Sequence, residues 1–239
     1  ANEFRNACRD FALAQVKGQR ADLKRLGALA DWENPYLTMD PRYEAEQLRA
    51  FAKLFNKGNV YRGLKSVHWC TDCCSALAEA EVEYEEKDSS AIDVRFEVLG
   101  KEVFLEQMGL DPELSGEDRL SVPIWTTTPW TLPGNQAVAL NELLSYSLVR
   151  TDVGEGDECL LIASKILNDV LARYGAKKWR VLGVTKGSAL EGLGLRHPFY
   201  ERDVPIVLGE HVTTEAGTGA VHTAPGDGHE DFSLGLKDG

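Results

Sequence analysis

Apolar positions in the first 65 residues recur at close to a helical period, with Phe4, Cys8, Phe11, Leu13 and Ala14 falling near one face of a 3.6-residue repeat. A second stretch is better marked. Asp40 suits an N-cap and Pro41 the first helical position; Leu48, Phe51, Leu54 and Phe55 form an apolar stripe and Gly58 a stop, so a helix is predicted over about residues 41 to 57. After HWCTDCCSALAEAEVEYEEK the pattern changes to short apolar or β-branched runs broken by Gly and Pro: IDVRFEV, LSVPIWTTT, QAVAL, ECLLIA, RVLGV, VPIVLG and GAVHTA. These runs predict strands. Ser164 to Tyr174, closed by Gly175, is the clearest helix among them. The acidic AEAEVEYEE run alternates with Ala80, Val82 and Tyr84 and predicts a further strand with one solvated face. The expected fold class is α/β: a helical segment and linker over 1–85, then a strand-rich domain over 86–239.

Composition narrows this little. At 239 residues and 43% apolar content the chain can bury a sizeable core. No stretch approaches the roughly 18 uninterrupted apolar residues of a membrane helix, and ANEFRNACRD lacks the features of a signal peptide, so a cytoplasmic protein with no membrane partner is expected. Five unevenly spread cysteines in a chain of this size are expected to be reduced thiols. Charge is more informative. The net charge is −12, yet residues 1–65 carry 12 basic and 8 acidic side chains, leaving 14 basic and 30 acidic, a balance of −16, for the rest. Phosphate affinity comes largely from Lys and Arg. Such a balance disfavours a general nucleic-acid surface and is compatible with a site that receives only the tip of one.

Two segments carry candidate chemistry. In Trp125-Thr126-Thr127-Thr128-Pro129-Trp130-Thr131-Leu132-Pro133-Gly134-Asn135, the threonines alone suit a strand, but prolines, a glycine and tryptophans around hydroxyls and a carboxamide describe a rigid turn at a small polar pocket. Gly217 to Asp231, GTGAVHTAPGDGHED, predicts a strand entering a Gly/Pro loop with two histidines and three carboxylates. His229, Glu230 and Asp231 match no usual zinc spacing, and Cys70-Thr-Asp-Cys73 is only half of a four-ligand site, so no metal is expected. Neither a Gly-x-Ser-x-Gly elbow nor a Cys-His pairing is evident, which disfavours a covalent acyl-enzyme.

Together with FRNACRDFALAQV, GNVYRGLKSVHWC and SALAEAEVEY, these segments closely resemble the isoleucyl-tRNA synthetase family over essentially the whole chain. Valine- and leucine-specific relatives typically show Thr-Thr-Arg-Pro followed by an acidic residue; Thr128-Pro129-Trp130 stands here instead, which favours isoleucine. The resemblance implies the family's editing domain, with a mixed barrel-like sheet and flanking helices, hydrolysing valine wrongly attached to isoleucine tRNA. It assigns the catalytic handling of the terminal adenosine, the attacking water and the α-ammonium to Thr126, Thr127, Thr128, Asn135 and Asp231. Substrate contact falls to Trp125, Thr131, His222 and again Asp231, with His222 bounding the amino-acid side chain. The implied partners are the acceptor end of tRNA and the rest of the synthetase chain, in a monomer. No cofactor is implied for editing; ATP and Mg would serve the full enzyme, through His-Ile-Gly-His and Lys-Met-Ser-Lys-Ser motifs that this sequence lacks.

The charge balance predicts that tRNA binding by this chain steepens little as salt falls. A salt titration checks it, and a log-log slope implying about six or more phosphate contacts would instead indicate a docking module.

Overall fold

The computed structural model describes residues 2–114, 116, 118–153 and 156–238. It divides into two units, Ala1–Leu64 and Lys65–Gly239. In the first, α1 (Asn2–Arg25) and α2 (Pro41–Asn56) are the regular elements. α2 starts as its sequence predicts: the Asp40 carboxylate accepts the Arg42 N–H at 2.8 Å, and Pro41 needs no partner for an N–H it lacks. Its stripe of Leu48, Phe51, Leu54 and Phe55 is exposed.

The second unit opens with a hairpin, β1 (His68–Cys70) and β2 (Ser75–Leu77), turned through Thr71 to Cys74. Among the described residues nine further strands form one sheet. They are β3 (Ile92–Val98), β4 (Arg119–Thr126), β5 (Ala137–Leu140), β6 (Ser145–Thr151), β7 (Glu158–Ala163), β8 (Trp179–Lys186), β9 (Gly194–Arg196), β10 (Asp203–Leu208) and β11 (Val221–Thr223), in the order β11-β5-β10-β9-β3-β4-β7-β6-β8. β5 with β10 and β4 with β7 are parallel; the other pairs are antiparallel. β11 also lies against β4, so the sheet curls back on itself. The enclosed core includes Phe96, Ile124, Leu140, Leu148 and Leu161, all fully buried. β4 pairs with β7 only over Arg119 to Ser121, which leaves Pro123, with no N–H to give, beyond that ladder.

Among the described residues three α-helices flank the sheet: α3 (Lys101–Gln107), α4 (Leu167–Arg173) and α5 (His229–Asp238). α4 lays Leu167, Val170 and Leu171 on Val149, Leu160 and Ile162, while Leu234 of α5 packs with Ala139, Val207 and Val212. Several details depart from the sequence pattern. The acidic AEAEVEYEE run forms a 3-10 turn at Glu79–Glu81 and then irregular backbone, because its apolar side chains find no sheet to cover. Asp231 is in the first turn of α5, where an acidic group faces favourable helix-terminal N–H groups, and not in a loop. β6, β9 and α3 lie outside the runs marked in the sequence.

One connection fixes where β11 sits. The carbonyls of Gly217, Thr218 and Gly219 are each held: by Arg173 Nη2 at 3.3 Å, the Ala163 N–H at 3.0 Å and the Tyr146 hydroxyl at 2.7 Å. Burial pushes the Tyr146 phenol up to about 12, so it stays protonated and able to donate. Gly219 has φ +80, and a Cβ there would stand 2.3 Å from Ala163 Cβ. Gly175 has a similar φ of +73 with nothing within 4 Å. Gly175→Ala should therefore cost about 1–2 kcal/mol of backbone strain alone, and Gly219→Ala about 1–3 kcal/mol more for the forced contact. Chemical denaturation of the two variants compares them; equal costs would show that the close approach is not what demands glycine.

Candidate functional site

β4 carries Thr126 to the end of the sheet, where the chain turns at once. Thr128 leaves strand geometry and Pro129, with its preset φ, opens a 3-10 turn that runs to Gly134. Thr126 Oγ1 accepts the Thr128 N–H at 3.0 Å and lies 3.3 Å from Thr128 Oγ1. His197 anchors this turn from below, its Nε2 3.0 Å from the Leu132 carbonyl and its Nδ1 accepting the Tyr200 N–H at 3.1 Å. After the turn, fully buried Asn135 donates from Nδ2 to the Ala137 carbonyl at 2.7 Å and the Thr223 carbonyl at 3.4 Å. The Gln136 N–H adds a third bond, also to Thr223, at 2.8 Å. Threonine turn and β11 are thereby stitched together.

β11 presents His222 to the turn, with Nε2 3.0 Å from Thr131 Oγ1. Beyond β11 the chain bends at Ala224 and Pro225 and enters α5, whose Asp231 reaches back to accept the Ala224 N–H on Oδ2 at 2.9 Å. Thr126, Thr128, Thr131, His222 and Asp231 thus line one cavity of about 420 Å³, together with His211, Val221, Asp227, Gly228, His229 and Glu230. Three carboxylates face this space. Such a wall favours a cationic group, and the hydroxyls beside it can orient water or a sugar hydroxyl. His222 is 6% exposed, and desolvation draws its pKa below the ordinary value, with His197 adding to the effect and the charges of Asp231 and Asp227 opposing it.

The other residues singled out in the sequence stand elsewhere. Trp125 packs against Gly217, the Thr127 carbonyl accepts from the Ser89 hydroxyl at 3.0 Å, and Asn135 serves the backbone as described. His211 lines the cavity with no motif around it in the sequence to mark it. In the β1–β2 hairpin the Cys73 N–H approaches Cys70 Sγ at 3.4 Å and, with the Asp72 N–H, holds that thiol below its usual pKa. Among the described residues no group of three or more His, Cys, Asp or Glu is arranged to hold a metal ion.

Comparison with known proteins adds to this geometry. The family described as tRNA synthetases class I (I, L, M and V) matches residues 1–212. The isoleucine–tRNA ligase of Alkalilimnicola ehrlichii is 58% identical over 98% of this chain and 24% of its own length, and that of Methylococcus capsulatus is 57% identical over 99% and 25%. The chain spans about a quarter of the length of these curated relatives. Among solved structures it is similar to the leucyl-tRNA synthetase editing domain of P. knowlesi (TM-score 0.55, 15% identity, 66% of each chain). It is also similar to that of P. falciparum (TM-score 0.54, 14% identity, 62% of this chain and 65% of that one). At these identities the likeness shows the fold.

Burial of His222 has a consequence for stability. Its folded pKa lies below the unfolded one, so the unfolded chain takes up the proton first as pH falls. The contribution of this residue is complete above about pH 6.5 and is lost as pH falls through the folded value. His222→Gln should flatten the decline in unfolding free energy between about pH 7 and pH 5, measured by urea titration at each pH. Parallel curves for the two proteins would show that His222 is not held neutral by the fold.

Proposed function

This chain belongs to the class I tRNA synthetases of the I, L, M and V group, and from that premise we propose that its cavity hydrolyses valine wrongly attached to isoleucine tRNA. The observation that carries the proposal is the convergence of two distant segments, the threonine turn and the β11–α5 connection, on one anionic, hydroxyl-lined cavity. High identity to isoleucine–tRNA ligases supports the isoleucine assignment. A pocket built for isoleucine cannot strongly reject valine, which is one methylene smaller; isoleucyl enzymes are themselves the known case of this limit. A second site that admits valine and excludes isoleucine removes the error.

In this reading the free oxygen of Asp231 pairs the α-ammonium of the aminoacyl group, with Asp227 and Glu230 strengthening the local potential. Thr126 and Thr128 orient the terminal ribose and the attacking water. Water adds to the ester carbonyl, the bond to the ribose oxygen breaks, and that oxygen leaves with a proton, releasing valine and intact tRNA. His222, rigid in β11, limits the length of the side chain that fits. Asn135 supports the site by joining the turn to β11, and Trp125 does so by packing under Gly217. Residues 1–85 would adjoin the remainder of a monomeric cytoplasmic synthetase, where ATP and Mg serve aminoacylation, and 86–239 would form the editing module. The exposed apolar stripe of α2 is a surface of the kind such neighbours cover.

Two variants test the roles. Asp231→Asn keeps an acceptor for the Ala224 N–H but removes the charge, so hydrolysis of valyl-tRNA should fall roughly a hundredfold, the worth of a few kcal/mol of charge pairing. His222→Ala should open room for about one methyl group, and isoleucyl-tRNA should then be deacylated, since exclusion of one methylene rests on only about 1–3 kcal/mol. Deacylation of both charged tRNAs is measured in the full-length enzyme, with circular dichroism as the control for folding. Near-normal valine release by Asp231→Asn, or loss of valine activity in His222→Ala with no gain on isoleucine, would refute the corresponding role.

A further inference from the structure

Thr131 lies between two partners that constrain its single proton. Its hydroxyl is 2.8 Å from the Thr128 carbonyl oxygen, in donor geometry, and 3.0 Å from His222 Nε2. A carbonyl oxygen only accepts, and a hydroxyl has one hydrogen to give. The Thr131 proton is therefore committed to Thr128, and its oxygen is left to accept. His222 must carry hydrogen on Nε2. Burial favours the uncharged ring, despite the Asp231 and Asp227 carboxylates that act on it, and His197 opposes a charge there as well. In the neutral ring Nδ1 then holds a bare lone pair. That nitrogen is buried and hydrogen-bonded to none of the described residues, on a ring that lines the cavity.

We infer that Thr131 is a positioning residue, which acts through His222 by fixing the imidazole in its Nε2–H form. A second consequence concerns reaction type. A threonine activated as nucleophile would give its proton to the imidazole, whereas here the proton runs from imidazole to threonine oxygen. The 3.0 Å Thr131–His222 contact is thus a support and not a nucleophile–base pair.

The effect on hydrolysis rests on the editing function proposed above, and the tautomer does not, so the two are tested separately. Nitrogen-15 NMR of the imidazoles in this 239-residue chain reads the tautomer directly. The expected result is a single neutral Nε2–H form for His222 in the parent protein, a mixture of tautomers in Thr131→Val, and recovery in Thr131→Ser. An Nδ1–H form in the parent, or an unchanged His222 in Thr131→Val, overturns the inference, and the first of these needs no variant to fold. In the full-length enzyme, Thr131→Val should lower valyl-tRNA hydrolysis about tenfold, the equivalent of one oriented hydrogen bond, with Thr131→Ser restoring it.

Discussion

The close approach of Gly219 to Ala163 is the contact on which the site depends. It permits three consecutive carbonyls, from Gly217 to Gly219, to be bonded by β7, by the Tyr146 hydroxyl of β6 and by Arg173 at the end of α4. Only a residue without a Cβ, at φ +80, brings the backbone that near. β11 follows at once and inherits that placement. Its three residues pair with β5 and lie against β4, so His222 faces the threonine turn as a matter of register. A short strand could slip; this one is pinned at its start by the glycine turn and at its end by Asn135 and Gln136 on the Thr223 carbonyl.

Electrostatics and burial compete inside the cavity, and their balance defines what it can hold. Asp227, Glu230 and Asp231 line it, and two of them act on His222 in the direction that would charge it. Desolvation of a ring that is 6% exposed is the larger effect and acts the other way. The outcome is an anionic wall beside a neutral, hydrogen-bonding imidazole. A cationic amino group is favoured by the first and is not repelled by the second. Had the histidine charged, it would have cancelled part of the field that the carboxylates supply.

The same residues show how support and chemistry are divided. Asn135 and Trp125 belong to the most distinctive stretch of the chain, yet Asn135 bonds nearby main-chain carbonyls and Trp125 packs against Gly217. His197 does likewise from a segment with no motif, holding the Leu132 carbonyl. A polar residue type in a conspicuous motif identifies the neighbourhood of a site, and the direction of its side chain decides whether it reaches the space.

Much of the fold was legible locally. α2 is specified by Asp40, Pro41 and an apolar stripe within one segment, and strands such as IDVRFEV and ECLLIA by β-branched and apolar runs of strand length, because helix caps and side-chain periodicity are properties of neighbouring residues. The threonine and GTGAVHTAPG segments likewise declared a site through their composition. Sequence did not determine that AEAEVEYEE would lack a sheet partner, that Asp231 would stand in the first turn of a helix and bond the Ala224 N–H, or that His211 would line the cavity. Nor could it say which nitrogen of His222 carries hydrogen. Each of these depends on groups distant in the chain: a strand needs a free ladder, a carboxylate a donor within about 3 Å, and a tautomer a partner whose own proton is already committed. Such pairings exist only once the sheet has curled and brought β11 against the turn that follows β4.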